Sequence, residues 1–172
     1  KVGRVLAAAF GGGWHARRHS PLALGDFSEP EPDVAVVAGD AEDYIAAHPA
    51  TAPLVVEVAD SSLQMDRRYK AAIYARAGLE DYWVLNLVDR VLEIYREPIA
   101  DSAAPFGWRY GRAEVRDTSA RVTPRRDRWP GQTAGRTAAG TGLPGPSARR
   151  GCRAPPRAPG PTPESAWRAA PS

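Results

Sequence analysis

A single cysteine, Cys152, stands in the 172 residues, so neither an internal disulfide nor a cysteine-built zinc site can be formed. No run of about 18 apolar residues occurs, and the opening Lys1-Val2-Gly3-Arg4 lacks the apolar core of a secretory signal. The expectation is a soluble, cytoplasmic protein with no membrane span. Residue 1 is lysine rather than methionine, and the chain is expected to have lost residues ahead of it. Lysine itself is almost missing: Lys1 and Lys70 stand against 21 arginines.

The formal charge of +3 is unevenly spread. Residues 120–172 hold 10 arginines against Asp127 and Glu164, a balance of +8, whereas residues 1–119 hold 13 basic and 18 acidic residues, a balance of −5. The basic character therefore belongs to the C-terminal stretch and is poor evidence that the preceding domain binds nucleic acid. That stretch has 10 of the 17 prolines, and Val122 and Leu143 are its only aliphatic residues larger than alanine. It has too little to bury for a core and no period of 2 or 3.6, so disorder is expected over 119–172. Arginine, proline, alanine and glycine together are also what GC-rich DNA encodes out of frame, and a change of reading frame near residues 115–125 is the expectation.

Residues 1–118 read as one packed α/β domain. A helix is expected over Val2 to Phe10, with Val2, Val5, Leu6 and Ala9 on one stripe, ended by Gly11-Gly12-Gly13. No Lys-Ser/Thr follows these glycines, so they are not a phosphate loop. A strand from about Trp14 to Leu24 precedes a turn at Gly25-Asp26-Phe27-Ser28. Val34 to Val37 is a short strand entered from Pro30-Glu31-Pro32-Asp33, and Asp40 to Ala47 a short helix. Leu54-Val55-Val56-Glu57-Val58-Ala59 is apolar on both faces except at Glu57, the pattern of a central strand. A helix then runs to Ala77, with Tyr69, Ala72, Ile73 and Ala77 on one face and Gly78 as its C′ residue. Tyr82 to Leu87, Val91 to Arg96 and Trp108 to Tyr110 read as strands. Their apolar character leaves an edge that could pair two copies in a homodimer.

Two residues break the pattern. Glu57 places a carboxylate inside an apolar strand, which costs several kcal/mol unless a cation or strong hydrogen bonds compensate. Pairing with Arg67 or Arg68 is one solution. A second is convergence with Asp33, at the mouth of the neighbouring strand, to hold a hard divalent cation such as Mg²⁺ or Mn²⁺. Lys70 is the only lysine after residue 1. It is either an ordinary surface lysine or a compact ammonium placed to approach a phosphate or a nucleophilic water. His15, His19 and His48 have no metal-ligand spacing and read as structural. Tyr74, one turn after Lys70, reads as core or as a phosphate contact, and Trp83 and Trp108 as packing residues.

Four blocks are similar, in order and spacing, to the Uma-two family of putative restriction endonucleases of the PD-(D/E)XK class: Glu31 to Val37, Leu54 to Ser62, Asp66 to Gly78, and Glu80 to Leu85. The resemblance implies a restriction-endonuclease-like core in the order α-β-β-β-α-β. It implies metal ligation by Asp33 and Glu57 with the carbonyl of Val58, and hydrolysis of DNA phosphodiester bonds. The third motif position, Ala59, departs from the expected lysine, which the resemblance supplies instead from the following helix as Lys70. The competing expectation is a non-catalytic module of nuclease descent that binds DNA or another protein.

Overall fold

A computed structural model describes residues 1–25 and 28–125. Asp26 and Phe27 of the expected turn, and most of the stretch expected to be disordered, lie outside the described residues. The elements are helix α1 (Val2–Phe10), strands β1 (Trp14–Arg18), β2 (Val34–Ala38) and β3 (Leu54–Ala59), a helix α2 over 63–76, and strands β4 (Asp81–Asn86), β5 (Val91–Ala100) and β6 (Trp108–Arg116). One-turn 3₁₀ segments at Ala41–Tyr44 and Pro105–Gly107 complete them. The six strands form one sheet in sequence order. Neighbours are antiparallel except β3 and β4, which run parallel because α2 carries the chain back between them. This is the mixed α/β sheet in the expected α-β-β-β-α-β order, extended by two strands.

Both faces of β3 are covered, which explains its nearly unbroken apolar run. On one face Ala35, Val37, Val55, Ala59, Tyr82 and Val84 pack with Ala71, Tyr74 and Ala75 of α2. On the other, Val34, Val36, Leu54, Val56, Trp83 and Ile94 pack with Leu6 and Phe10 of α1. Trp83 thus belongs to the α1 face and Trp108 to the α2 face. Among the described residues no helix is long and apolar enough to cross a membrane.

Several boundaries differ from expectation. Strand β1 ends at Arg18 rather than near Leu24, because His19 takes a positive φ of 46° and Pro21 follows. The stretch after Asp40 closes only one 3₁₀ turn. Strand β5 continues to Ala100 because it has run past the end of β4 by Pro98: Arg96 is the last residue paired with Asp81. No ladder donor is demanded of the proline on that side. Glu97 turns through φ 63° there, and Gly111 on β6 accommodates it, since a Cβ would lie 3.2 Å from the Glu97 carbonyl oxygen.

The stripe on α2 is also rotated. Ala71, Ala72, Tyr74 and Ala75 are its buried apolar residues, whereas Tyr69 is exposed. The cause is a π-helical segment, Asp66–Lys70, set between α-helical Leu63–Met65 and Ala71–Arg76. Its i→i+5 bonding adds a residue to one turn and rotates the remainder of the helix by roughly 100°. On α1 Gly3, Leu6 and Phe10 are buried and Val5 is exposed.

Residues 121–125 have no regular structure but lie against the sheet. Val122 packs on the α1-side core, Arg96 donates to the Thr123 carbonyl at 3.2 Å, and the Arg125 amide donates to Asp81 at 2.9 Å.

Gly39, at the end of β2, has φ +77°, and a Cβ there would collide with Asp43 Oδ2. Gly39→Ala is expected to destabilise the fold by about 1–2 kcal/mol from the left-handed backbone alone. Gly12 has open space around its Cα, and Gly12→Ala should stay within about 0.5 kcal/mol of the parent. Urea midpoints of the two variants test the contrast.

Candidate functional site

Asp33, Glu57 and Lys70 come together on the α2 face. Asp33 immediately precedes β2 and Glu57 lies in the middle of β3, so antiparallel pairing of Val34 with Val56 sets their backbones side by side. Two hydrogen bonds stitch the pair. The Val58 amide donates to Asp33 Oδ2 at 2.7 Å, and the Asp33 amide lies 3.4 Å from Glu57 Oε2 as donor.

Glu57 is 1% exposed. Its Oε1 accepts the Tyr74 hydroxyl at 2.7 Å, and its Oε2 lies 3.0 Å from Lys70 Nζ. Burial pushes the Glu57 carboxyl above its ordinary range, while the Tyr74 hydroxyl and the Lys70 ammonium pull against the rise. For Lys70, burial works to lower the pKa, but the carboxylates of Asp66 and Glu57 outweigh it and the result is raised. The ammonium form is therefore favoured.

A fourth residue completes the cluster. Asp66 is 1% exposed, and its Oδ1 lies 2.9 Å from Lys70 Nζ with no other polar partner among the described residues. Its Oδ2 accepts the Ser62 hydroxyl at 2.5 Å, and its carbonyl accepts the Tyr82 hydroxyl at 3.0 Å. The sequence reading named Asp33, Glu57 and Lys70 and missed Asp66. The available signal was the spacing Ser62, Asp66, Lys70, which stacks three polar side chains on consecutive turns. Tyr74 is both core and site: it is fully buried and orients Glu57.

Arg67 and Arg68 leave Glu57 alone. Arg67 forms a two-pronged pair with Glu93 of β5, Nε to Oε2 at 2.9 Å and Nη2 to Oε1 at 2.6 Å, and Arg68 lies 5.7 Å from the centre of the Tyr69 ring. Glu93 also accepts from Tyr95 and Asn86. This second buried carboxylate is a clamp holding α2 to the sheet.

His19 was read as structural. It lies with Nδ1 3.4 Å from Asp33 Oδ1, at the solvent mouth of the cluster. The Asp33 side chain is 32% exposed there, so one carboxylate faces solvent while the other is enclosed.

The donor set suits a hard divalent cation. Each carboxylate oxygen has two acceptor directions, and Asp33 Oδ1, 3.4 Å from His19 Nδ1, makes no other ion pair or side-chain hydrogen bond among the described residues. No group of three or more His, Cys, Asp or Glu residues is arranged around a common point among the described residues. Asp33 and Glu57 would thus be completed by carbonyl and water ligands, as Mg²⁺ and Mn²⁺ accept.

The family model described as "Putative restriction endonuclease", Uma2, matches residues 3–129. No curated protein matches the chain. A solved structure, that of a "putative nuclease belonging to DUF820" from Anabaena variabilis ATCC 29413, is similar at 14% identity and a TM-score of 0.49, over 72% of this chain and 66% of that one. The alignment thus spans just under two thirds of that protein's length.

For Glu93, burial works to raise the carboxyl, but Arg67, Tyr95 and Asn86 overcome it and hold it below the ordinary range. Its folded pKa is then lower than the unfolded value of about 4.3. The clamp contributes fully above that pH, and its contribution is lost as pH falls through the folded value. Urea stability measured from pH 6 down to pH 3 should fall in this window, and Glu93→Gln should be less stable at pH 6 with a shallower decline. A parallel decline in both proteins would mean that other carboxylates govern acid unfolding.

Proposed function

Because the chain belongs to the Uma2 family of putative restriction endonucleases, we propose that it is a metal-dependent nuclease that hydrolyses DNA phosphodiester bonds at Asp33, Glu57 and Lys70. The observation that carries this reading is the Lys70 ammonium, held 3.0 Å from buried Glu57 beside solvent-facing Asp33. A lysine next to two carboxylates on adjacent strands is what phosphodiester hydrolysis uses: anions to bind a cation, and a mobile cation to meet developing charge.

Asp33 and Glu57 would hold Mg²⁺ or Mn²⁺. When bound, such an ion polarises a phosphate oxygen and lowers the pKa of a coordinated water. Asp33, exposed at the mouth, is the carboxylate that meets the incoming phosphodiester. Glu57 is fixed by Tyr74 and stays in one orientation. Lys70 is positioned to donate to a non-bridging phosphate oxygen or to the attacking water, leaving Glu57 as it does so. Asp66, held by Ser62, keeps a second contact with the ammonium, so Lys70 retains a carboxylate partner when it turns from Glu57 to substrate. The primary expectation is DNA as substrate, in a homodimer or a monomer.

Asp33→Asn and Glu57→Gln are each expected to lower metal-dependent cleavage of supercoiled DNA by at least about 100-fold, consistent with losing several kcal/mol of transition-state stabilisation. Millimolar Mg²⁺ or Mn²⁺ should raise the melting temperature of the parent and not of Asp33→Asn. Equal nicking by parent and variants would remove the mechanism. Absence of any thermal shift would favour the non-catalytic module. Asp66→Asn should lower kcat and leave KM within about twofold, because it acts through Lys70 and not on substrate.

A further inference from the structure

The two edges of the sheet treat their arginines in opposite ways. On β6, Arg109 pairs with Asp101, and Arg112 and Arg116 both pair with Glu114. On β1, Arg17 and Arg18 have no carboxylate partner among the described residues. Arg17 Nε is buried and makes no hydrogen bond among them, and its guanidinium sits over the Tyr44 ring, 5.1 Å from the centre. Tyr44 is itself fixed by donating to the Ala38 carbonyl at 2.7 Å. An arginine held rigid on an aromatic face without a counter-charge is prepared for an anion that is absent from the chain itself.

The placement of β1 says which anion. Pairing of Arg17 with Ala35 and His15 with Val37 puts both on the α2 face of the sheet. The same alternation carries on to His19, whose amide lies 3.4 Å from the Asp33 carbonyl. His15, Arg17 and His19 thus form a row, spaced by roughly 7 Å, that ends beside Asp33. Gly13 and His19 both turn their backbone groups toward β2 and its flanks. The amides of Ala16 and Arg18 between them face outward from an unpaired edge. Residues 14–20 contain no acid. A groove of about 370 Å³ runs along this strand, lined by His15, Arg17, Arg18, Ser20 and Tyr44. The acidic residues Asp40, Glu42 and Asp43 follow β2 on the turn that carries Tyr44, and among the described residues none is within ion-pair distance of either arginine.

We propose that the β1 edge is the phosphate track of the substrate duplex, with Arg17 gripping a backbone phosphate a few nucleotides from the bond held at Asp33. The proposal rests on the DNA-nuclease reading and adds the surface by which the strand is delivered. It also answers the −5 charge of residues 1–119. The acids of the far edge are spent on their own arginines, while the basic edge beside the site is left unneutralised.

The test is fluorescence anisotropy of a labelled DNA duplex with the full chain in Ca²⁺ and in EDTA, over a series of salt concentrations. Arg17→Gln should weaken binding about tenfold, as expected for one lost charge-assisted contact. It should also reduce the slope of log K against log salt by about 0.9, one phosphate's share. Arg17→Lys should keep the slope. Arg18→Gln, whose exposed side chain alternates to the α1 side of the strand but still lines the rim of the same groove, should also reduce it, which keeps the test decisive if Arg17→Gln unfolds. Arg112→Gln, on the opposite edge, should change neither quantity. Any contribution from arginines beyond residue 125 is common to all variants and cancels in the comparison. A parent that binds the duplex while Arg17→Gln and Arg18→Gln bind with unchanged slope overturns the track and leaves the nuclease reading standing. A parent that binds no duplex under either condition overturns both.

Discussion

A carboxylate enclosed in the central strand of a sheet is the constraint around which this protein is organised. Glu57 has almost no contact with solvent, and an ion in that position is stable only with donors brought to it by the fold. Three donors from two elements supply them: the Asp33 amide from the approach to β2, and from α2 the Tyr74 hydroxyl of its second half and the Lys70 ammonium of its π segment. Removing any one leaves a charged group under-satisfied. The order of the neighbouring strands and the docking of α2 are thus coupled to one side chain.

The same helix is fixed at a second point by a different device. Arg67 reaches across to Glu93, which lies on the strand beyond β4, and Asn86 and Tyr95 complete the carboxylate's hydrogen bonds. Between the two carboxylates lies Val84, paired with Glu57 on one side and Glu93 on the other. The apolar spacer keeps two negative charges apart and gives each its own cation. Tyr82, stacked among Tyr74, Tyr95 and Tyr110 and bonded to the Asp66 carbonyl, fills the space below. Tyrosine suits this layer because its ring buries apolar area while its hydroxyl answers a buried acceptor.

Much of this was legible in the chain, and the reasons are specific. Glu57 stood out as the one polar residue in an apolar strand and Lys70 as the only lysine after residue 1, each with an ordinary structural reading still open, and it was the resemblance to the Uma-two family that joined them with Asp33. The central strand, the helix ending at Gly78 and the two strands after it were also recoverable, because each carries a periodicity and a terminating residue. Asp66 was passed over although its i,i+4 spacing with Ser62 and Lys70 puts all three on one helix face, because that spacing is equally the pattern of a solvated ion pair and carries no sign that the face turns toward the sheet. The same turn rotated the expected apolar face, exposing Tyr69 and burying Tyr74. The length of β5 was hidden by Glu97-Pro98, which reads as a stop until β4 is seen to end first. The role of Arg67 was hidden because its partner lies 26 residues away on a strand that is not its sequence neighbour.

The packing at Ala59, the strand position where the resemblance expects lysine, leaves no room for a long charged side chain. That residue is fully buried and sits in the cluster with Ala71 and Ala75 of α2. A lysine there would push a charged side chain into the interface that brings the helix onto the sheet, whereas alanine lets the two backbones approach closely. The ammonium is then delivered from above, at a position where the stem is covered and the tip still meets solvent: its side chain is 31% exposed while Glu57 and Asp66 are not. The exchange has a mechanical consequence. A strand lysine is held by the sheet ladder itself, but Lys70 is held by the docking of α2, so loosening the helix separates the ammonium from Glu57. The π segment places this dependence at its centre. Its wide turn costs regular helical hydrogen bonding, and that cost is offset by the contacts it permits, Asp66 with Ser62 and Lys70, and Arg67 with Glu93. The residues that stabilise the irregular turn are therefore the same ones that hold Lys70 beside Glu57.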